Sequence, residues 1–238
     1  MLSVTTKSGI YNGYKVIGTQ TLGLRGLVLW LKFNEGSGNI AYDSSFYNNH
    51  GTIYGATWTD GKFGKALSFD GVDDYVRVSN SQSLANVGKV TVTFWVKLNN
   101  LNDQFFYTHK DANNGHEIII YLGRIGFPIL LGGTWYEGTY VPVTDYLEPN
   151  KWYFLAGTYD GETAKLYING EFISEDTSPS GDLPTINRDL CIGQNDFLNY
   201  YFVNGIIDEV RIYNRALSEN EIKMLYYNRI GAVPSKAI

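Results

Sequence analysis

Residues 204–225 place a strand, a turn and a short helix in direct succession, and this is the most constraining local pattern in the chain. Side chains on a strand alternate between the two faces of a sheet. We predict that the core-facing set is Ile206, Asp208, Val210 and Ile212, and that the opposite set is Ile207, Glu209, Arg211 and Tyr213. Ser218 and Glu221 have the spacing of a capping box, which predicts a helix that begins at Ser218.

Most of the remaining chain consists of short alternating segments separated by glycine, asparagine and aspartate. Residues 89–98 give the clearest alternation, which predicts a sheet with one packed and one solvated face. The predicted core set is Val90, Val92, Phe94, Val96 and Leu98, and the predicted solvated set is Thr91, Thr93, Trp95 and Lys97. Asn169-Gly170 predicts a tight turn between two strands. Only residues 218–230 have a helical pattern, so the chain is predicted to be all-β.

Several blocks resemble, in order along the chain, the laminin-G-like jelly-roll domains of the concanavalin A-like lectin/glucanase superfamily. Besides residues 204–225, the blocks are 27–38, 41–45, 48–52, 64–71 and 74–78. The resemblance implies a two-sheet antiparallel jelly-roll sandwich. We therefore expect a domain at 27–230, preceded by an N-terminal arm (1–26) and followed by a tail (231–238). Asn12-Gly13 predicts a hairpin in the arm.

Composition excludes several classes of function. The net charge is −5 and no basic stripe is present, so nucleic acid is not an expected partner. No apolar run is long enough to span a membrane, and the N-terminus lacks the apolar region of a secretory signal. The single cysteine, Cys191, is predicted to be a small buried core residue.

A calcium site is the metal site that the sequence supports. Calcium binds carboxylate, carbonyl and amide oxygens, and Glu35, Asp43 and Asn49 lie in a polar loop after the first predicted strand. Related domains often hold a structural calcium near this loop, with help from an acidic residue on the last strand, here Asp208. In the alternative interpretation Asp43 caps its own turn, Glu35 is solvated and Asp208 accepts hydrogen bonds.

The sequence contains no catalytic constellation. Glucanases of this fold carry the motif Glu-x-Asp-x-x-Glu on one strand, and it is absent here. Adjacent acidic pairs such as Asp208-Glu209 point to opposite faces of a strand. His50, His109 and His116 show no metal-binding or triad spacing and are predicted to be turn or surface residues. No catalytic residue is assigned.

Exposed aromatic rings flanked by polar groups are typical of carbohydrate sites. The candidates are Trp95 on the polar face of its strand, Trp135 and Tyr136 after a double glycine, and Tyr200 and Tyr201 in the loop 197–202. The alternative for each ring is packing in the core or between chains.

Two non-catalytic functions remain open from the sequence. The first is a structural or decoration subunit of an extracellular or virion surface assembly, whose partners would be copies of itself or neighbouring subunits. The second is a carbohydrate- or glycoprotein-binding module. A glycan-active enzyme is a minor alternative.

Overall fold

The computed structural model describes residues 24–85, 87–195 and 200–227, together with the backbone of two short paired strands in the N-terminal arm. Its strands are β1 (Ile10–Tyr11), β2 (Tyr14–Lys15), β3 (Leu27–Leu31), β4 (Ile40–Ala41), β5 (Gly51–Tyr54), β6 (Thr57–Asp60), β7 (Lys65–Asp70), β8 (Tyr75–Val78), β9 (Val90–Leu98), β10 (Gln104–Lys110), β11 (Gly115–Tyr121), β12 (Arg124–Gly126), β13 (Ile129–Leu131), β14 (Thr134–Tyr136), β15 (Val141–Pro142), β16 (Trp152–Tyr159), β17 (Ala164–Ile168), β18 (Glu171–Asp176), β19 (Leu190–Ile192) and β20 (Asn204–Tyr213). The helices in this part of the chain are α1 (Gln82–Ala85) and α2 (Glu219–Tyr226), with a 3₁₀ turn at Val143–Asp145.

Two antiparallel sheets form a sandwich, which confirms the predicted fold class. The front sheet has ten strands, in the order β14-β13-β11-β10-β19-β8-β5-β4, with β12 paired to β11 and β15 paired to β12. The back sheet has eight strands, in the order β18-β17-β16-β9-β20-β7-β6, with β3 beside β20. The inner faces of both sheets supply the main core, including Phe94, Phe106, Phe127 and Ile207, all of which are almost completely buried.

Several local predictions are confirmed. Val90, Val92, Phe94, Val96 and Leu98 all belong to the main core. The Asn169-Gly170 turn joins β17 to β18 with positive φ at both residues (53° and 81°), which asparagine and glycine tolerate better than other residues. The capping box at the start of α2 is present, with Ser218 and Glu221 exchanging hydrogen bonds. Cys191 is completely buried in the core, as predicted.

The predicted alternation of β20 is wrong in its first half. Ile207, rather than Ile206, lies in the main core together with Val210 and Ile212. The pairing of β20 with β9 shifts between Asp208 and Arg211, and Glu209 between them has φ 56°. This bulge inserts an extra residue and reverses the facing of the residues before it, so Asp208 pairs with Trp95 on the outer side of the back sheet.

The outer face of β9 is covered rather than solvated. Thr91 and Thr93 are fully buried and Trp95 is only 4% exposed. Trp95 packs in a second apolar cluster with Phe154, Tyr213 and residues of α2, including Ile222 and Leu225. Helix α2 therefore seals this face of the back sheet, and alternation along β9 alone did not indicate that cover.

The arm is described only in part. Strands β1 and β2 pair antiparallel on either side of Asn12-Gly13. The rest of the arm before residue 24, and the tail at 231–238, lie outside the described residues, so the expected domain bounds stay predictions.

Candidate functional site

A concave pocket of about 180 Å³ opens on the front sheet, on the side away from the core. It is lined by aromatic rings and by three charged side chains. The lining residues are Phe105, Lys110, Glu117, Ile119, Tyr121, Pro128, Trp135, Glu137, Tyr140, Asn195, Tyr200 and Tyr201.

The register of β10 against β11 builds the base of the pocket. Glu117, Ile119 and Tyr121 share one face of β11, whereas Ile118 and Ile120 point into the main core. Phe105 pairs with Ile119, and the register shifts directly after Phe105. Alternation along β10 makes Phe105 face the pocket while its neighbour Phe106 is buried in the core, and the bulge places Tyr107 in the core as well.

Trp135 forms one wall because a tight hairpin brings it there. Strands β13 and β14 are joined by Gly132 and Gly133, whose φ values of 57° and 82° suit a two-residue turn. Trp135 keeps 38% of its surface exposed, which is unusual for so large a ring and leaves it available for contact.

The opposite wall is a cluster of tyrosines packed around Phe105. The Tyr201 ring stacks on Phe105 with centroids 5.8 Å apart and meets Tyr121 edge-on at 6.0 Å. Tyr200 packs against Tyr201 and is 48% exposed. Tyr201 has φ 65°, a left-handed conformation that is rare for a bulky residue and is often found where a loop is held in place for binding.

A nearly buried ion pair lies between these walls. Lys110 Nζ is 2.8 Å from Glu117 Oε1, and the two side chains are only 12% and 3% exposed. Burial raises the pKa of Glu117, and the charge of Lys110 opposes that rise. Lys110 Nζ also lies 4.9 Å from the centroid of the Trp135 ring, which is cation–π range. The ion pair thus provides polar groups inside an otherwise aromatic pocket and helps to hold the Trp135 ring.

The predicted aromatic candidates divide into two groups. Trp135, Tyr200 and Tyr201 line the pocket. Trp95 is wrong as an exposed platform because it is buried beneath α2, where it stacks on Tyr226. Tyr136 is partly buried against the main core and is not among the pocket residues.

The four residues predicted to hold calcium do not form one cluster of carboxylates. Asp43 organises its own loop: its carboxylate accepts hydrogen bonds from the amides of Trp30, Ser45 and Asn49 and from the Ser45 hydroxyl. The Asn49 amide donates to Val28 O at 2.7 Å and to Ser83 Oγ at 2.9 Å. This geometry matches the alternative interpretation of Asp43 as a turn cap.

Glu35 and Asp208 have different surroundings. Glu35 Oε1 accepts a hydrogen bond from the Tyr42 amide. Asp208 is fully buried, accepts from the Phe63 amide at 2.9 Å, and has its pKa raised to about 7 by burial. In the described ranges, the set of three acidic groups close enough to share an ion is instead Asp70, Asp73 and Asp74. The calcium site stays a prediction.

Two histidines lie directly beneath the pocket, which corrects the prediction that they are turn or surface residues. His109 and His116 pair across β10 and β11 and are 1% and 0% exposed. The His116 ring stacks on Tyr107 at 5.5 Å, and neither of its nitrogens has a hydrogen-bond partner among the described residues. Burial lowers the pKa of His109 to about 4 and lowers that of His116 well below its ordinary value.

Because His109 and His116 are buried in their neutral form, we expect them to lower the stability of the fold in mild acid. Below about pH 6.5 the unfolded chain protonates both histidines while the folded chain does not, so the free energy of unfolding falls until the pH reaches the lowered folded pKa values. Asp208 acts in the opposite direction between about pH 7 and 4, because its folded pKa is raised. Glu117 acts in the same direction as Asp208, because burial raises its pKa too, so the histidine contribution is measured by removing one of the two rings.

His116→Phe should flatten that decline, because it keeps a ring of similar size against Tyr107 and removes the titrating group. We expect little change at pH 8 and a gain of about 2 kcal/mol over the unmodified chain at pH 5, measured by urea unfolding. Parallel pH profiles for the two proteins would contradict the burial of a neutral His116.

The described residues contain no helix that is both long and apolar enough to cross a membrane.

Comparison with known proteins agrees with this architecture. The profile of the concanavalin A-like lectin/glucanases superfamily matches residues 70–223, which is more than half of the chain. A search of curated proteins gave no match.

Solved structures share the fold at low sequence identity. Domain 4 of AbnA, an extracellular arabinanase from Geobacillus stearothermophilus, in complex with arabinotriose, is 23% identical with a TM-score of 0.68, covering 87% of this chain and 98% of that one. The ligand-binding domain of botulinum neurotoxin serotype D with N-acetylneuraminic acid is 19% identical with a TM-score of 0.69, covering 88% and 53%. The binding domain of Paraclostridial Mosquitocidal Protein 1 is 20% identical with a TM-score of 0.68, covering 88% and 53%.

This chain therefore spans about half the length of the neurotoxin and mosquitocidal-protein chains and nearly all of the arabinanase domain. At these identities the likeness establishes the fold and not the ligand. Together with the profile match, it shows that the chain belongs to the concanavalin A-like lectin/glucanase superfamily as a laminin-G-like jelly-roll domain.

Proposed function

We propose that this chain is a non-catalytic carbohydrate-binding module whose site is the pocket on the front sheet. One observation carries the proposal: exposed aromatic rings surround buried polar groups in a single concavity. Sugars present an apolar C–H face that packs on aromatic rings and hydroxyl groups that need directed partners, and the pocket offers both.

The comparisons support this function over the surface-assembly role. A related domain was solved with arabinotriose and another with N-acetylneuraminic acid, so the fold serves sugar binding in proteins similar to this one. No described feature favours the assembly role, and most of the N-terminal arm, through which the chain could contact a neighbour, lies outside the described residues.

Binding can be tested with the full chain on a glycan array, followed by isothermal titration of the best-binding sugars. We expect saturable binding with one site per chain. Binding that persists in a variant lacking pocket side chains would move the site elsewhere, and binding to no glycan would contradict the function.

The proposed absence of catalysis needs its own test. Glu117 and Glu137 both line the pocket, and glycosidases act through two carboxyl groups. Burial raises the pKa of Glu117, as in a proton donor, whereas the ion pair with Lys110 engages its carboxylate, so an activity assay has to separate the two roles. We expect no released sugar after prolonged incubation with bound glycans. Product formation that disappears in Glu117→Gln would make the protein an enzyme.

A further inference from the structure

The charges in the pocket restrict the kind of sugar that fits. Lys110 and Glu117 neutralise each other at 2.8 Å, which leaves the exposed Glu137 as the additional charge among the lining residues. Among these residues, therefore, the pocket has a net negative charge.

A second cation lies nearby but is already engaged. Arg124 Nη2 donates to Tyr140 O at 2.6 Å, and its guanidinium group lies 5.6 Å from the centroid of the Tyr140 ring. Arg124 does not line the pocket. A ligand carboxylate entering the pocket would meet Glu137 and the oxygens of Glu117, and bringing like charges together is costly.

The size of the pocket restricts how much of a glycan is enclosed. Its volume of about 180 Å³ lies below the usual range for drug-sized ligands, and Phe105 and Ile119 close its base. This space suits one sugar residue, with the rest of a chain left outside.

We propose that the pocket takes a single residue of a neutral glycan, with Trp135 against the apolar face of the ring. Glu137 and the Lys110–Glu117 pair then serve as hydrogen-bond partners for its hydroxyl groups, a role in which carboxylates make strong, charge-assisted bonds. The proposal rests on the proposed function and adds the chemical class of the ligand.

The test compares sugars that differ only in charge. The methyl glycosides of galactose, glucose and mannose are titrated into the full chain beside the corresponding uronic acids, with arabinotriose and N-acetylneuraminic acid as further probes. For the sugar that binds best, we expect the neutral form to bind at least about tenfold more tightly than its uronic acid. Added salt should leave the affinity for the neutral sugar nearly unchanged, because that ligand carries no charge that salt could screen.

Glu137→Gln provides the matched variant, because it removes the repelling charge and keeps the size of an exposed side chain. It should bring the affinity for the uronic acid closer to that for the neutral sugar, whereas Glu162→Gln, in the exposed loop between β16 and β17, should not. Tighter binding of the acidic member of a pair would overturn this inference and leave the binding function intact. Binding of no sugar would overturn both.

Discussion

Asp43→Ala should lower the free energy of unfolding by about 3 kcal/mol or more, the largest loss that we expect from one side chain outside the apolar core. The carboxylate accepts four hydrogen bonds within 2.9 Å, three of them from backbone amides. Alanine would leave the amides of Trp30 and Asn49 without acceptors in a part of the protein that water reaches poorly, and an unsatisfied buried donor is expensive. Urea unfolding followed by tryptophan fluorescence measures the loss.

Asp60→Ala is the control for Asp43→Ala, because the Asp60 side chain is 90% exposed and should matter little. The same experiment separates hydrogen bonding from the calcium site predicted from sequence. If EDTA alone destabilises the unmodified chain as much as Asp43→Ala does, a bound metal rather than the hydrogen bonds organises this loop. A small effect of Asp43→Ala without EDTA sensitivity would contradict both explanations.

Trp135→Ala should weaken glycan binding by at least about tenfold, equivalent to about 1.4 kcal/mol, and leave stability nearly unchanged. The ring is part of the pocket wall and lies on a short hairpin at the end of the front sheet, so its removal takes away contact area for a ligand more than it disturbs the core. Affinity is measured by titration with the best-binding neutral sugar.

Tyr54→Ala removes another exposed aromatic ring, on β5, which is separated from β10 by two strands of the same sheet. This control should bind the sugar as the unmodified chain does. If Trp135→Ala retained full affinity, or Tyr54→Ala lost it, the sugar would bind elsewhere on the sheet.

The sequence predicts much of the fold because local patterns carry much of the information. Alternation along β9, the Asn169-Gly170 turn and the Ser218–Glu221 capping box each depend on near neighbours in the chain, and each is confirmed. The bulge at Glu209 was not predicted, because an alternating pattern gives no indication of an inserted residue. The burial of Trp95 was missed for a related reason: alternation separates two faces of a strand but does not show what covers each face.

Only the part of the pocket that lies in a loop or next to a tight turn could be predicted. Trp135 and Tyr201 are aromatic residues in glycine- or asparagine-bearing segments, and such segments often bind ligands. Lys110, Glu117 and Tyr121 were missed because they belong to strands, and their convergence depends on the register of β10 against β11 over residues far from any motif. Residues 118–120 are all apolar, so the sequence did not indicate which face of β11 would be exposed to solvent.

Binding of sugars in this pocket is tested most directly by the backbone and indole NMR signals of the ¹⁵N-labelled chain. The chain has 5 tryptophans, so the Trp135 indole signal can be assigned by comparison with the Trp135→Ala spectrum. On titration with the best-binding neutral sugar, we expect the largest shifts at the Trp135 indole and at the amides of Glu117, Tyr121 and Tyr201. Shifts confined to another surface, such as the exposed aromatic loop at Tyr42 and Tyr47, would contradict binding in this pocket.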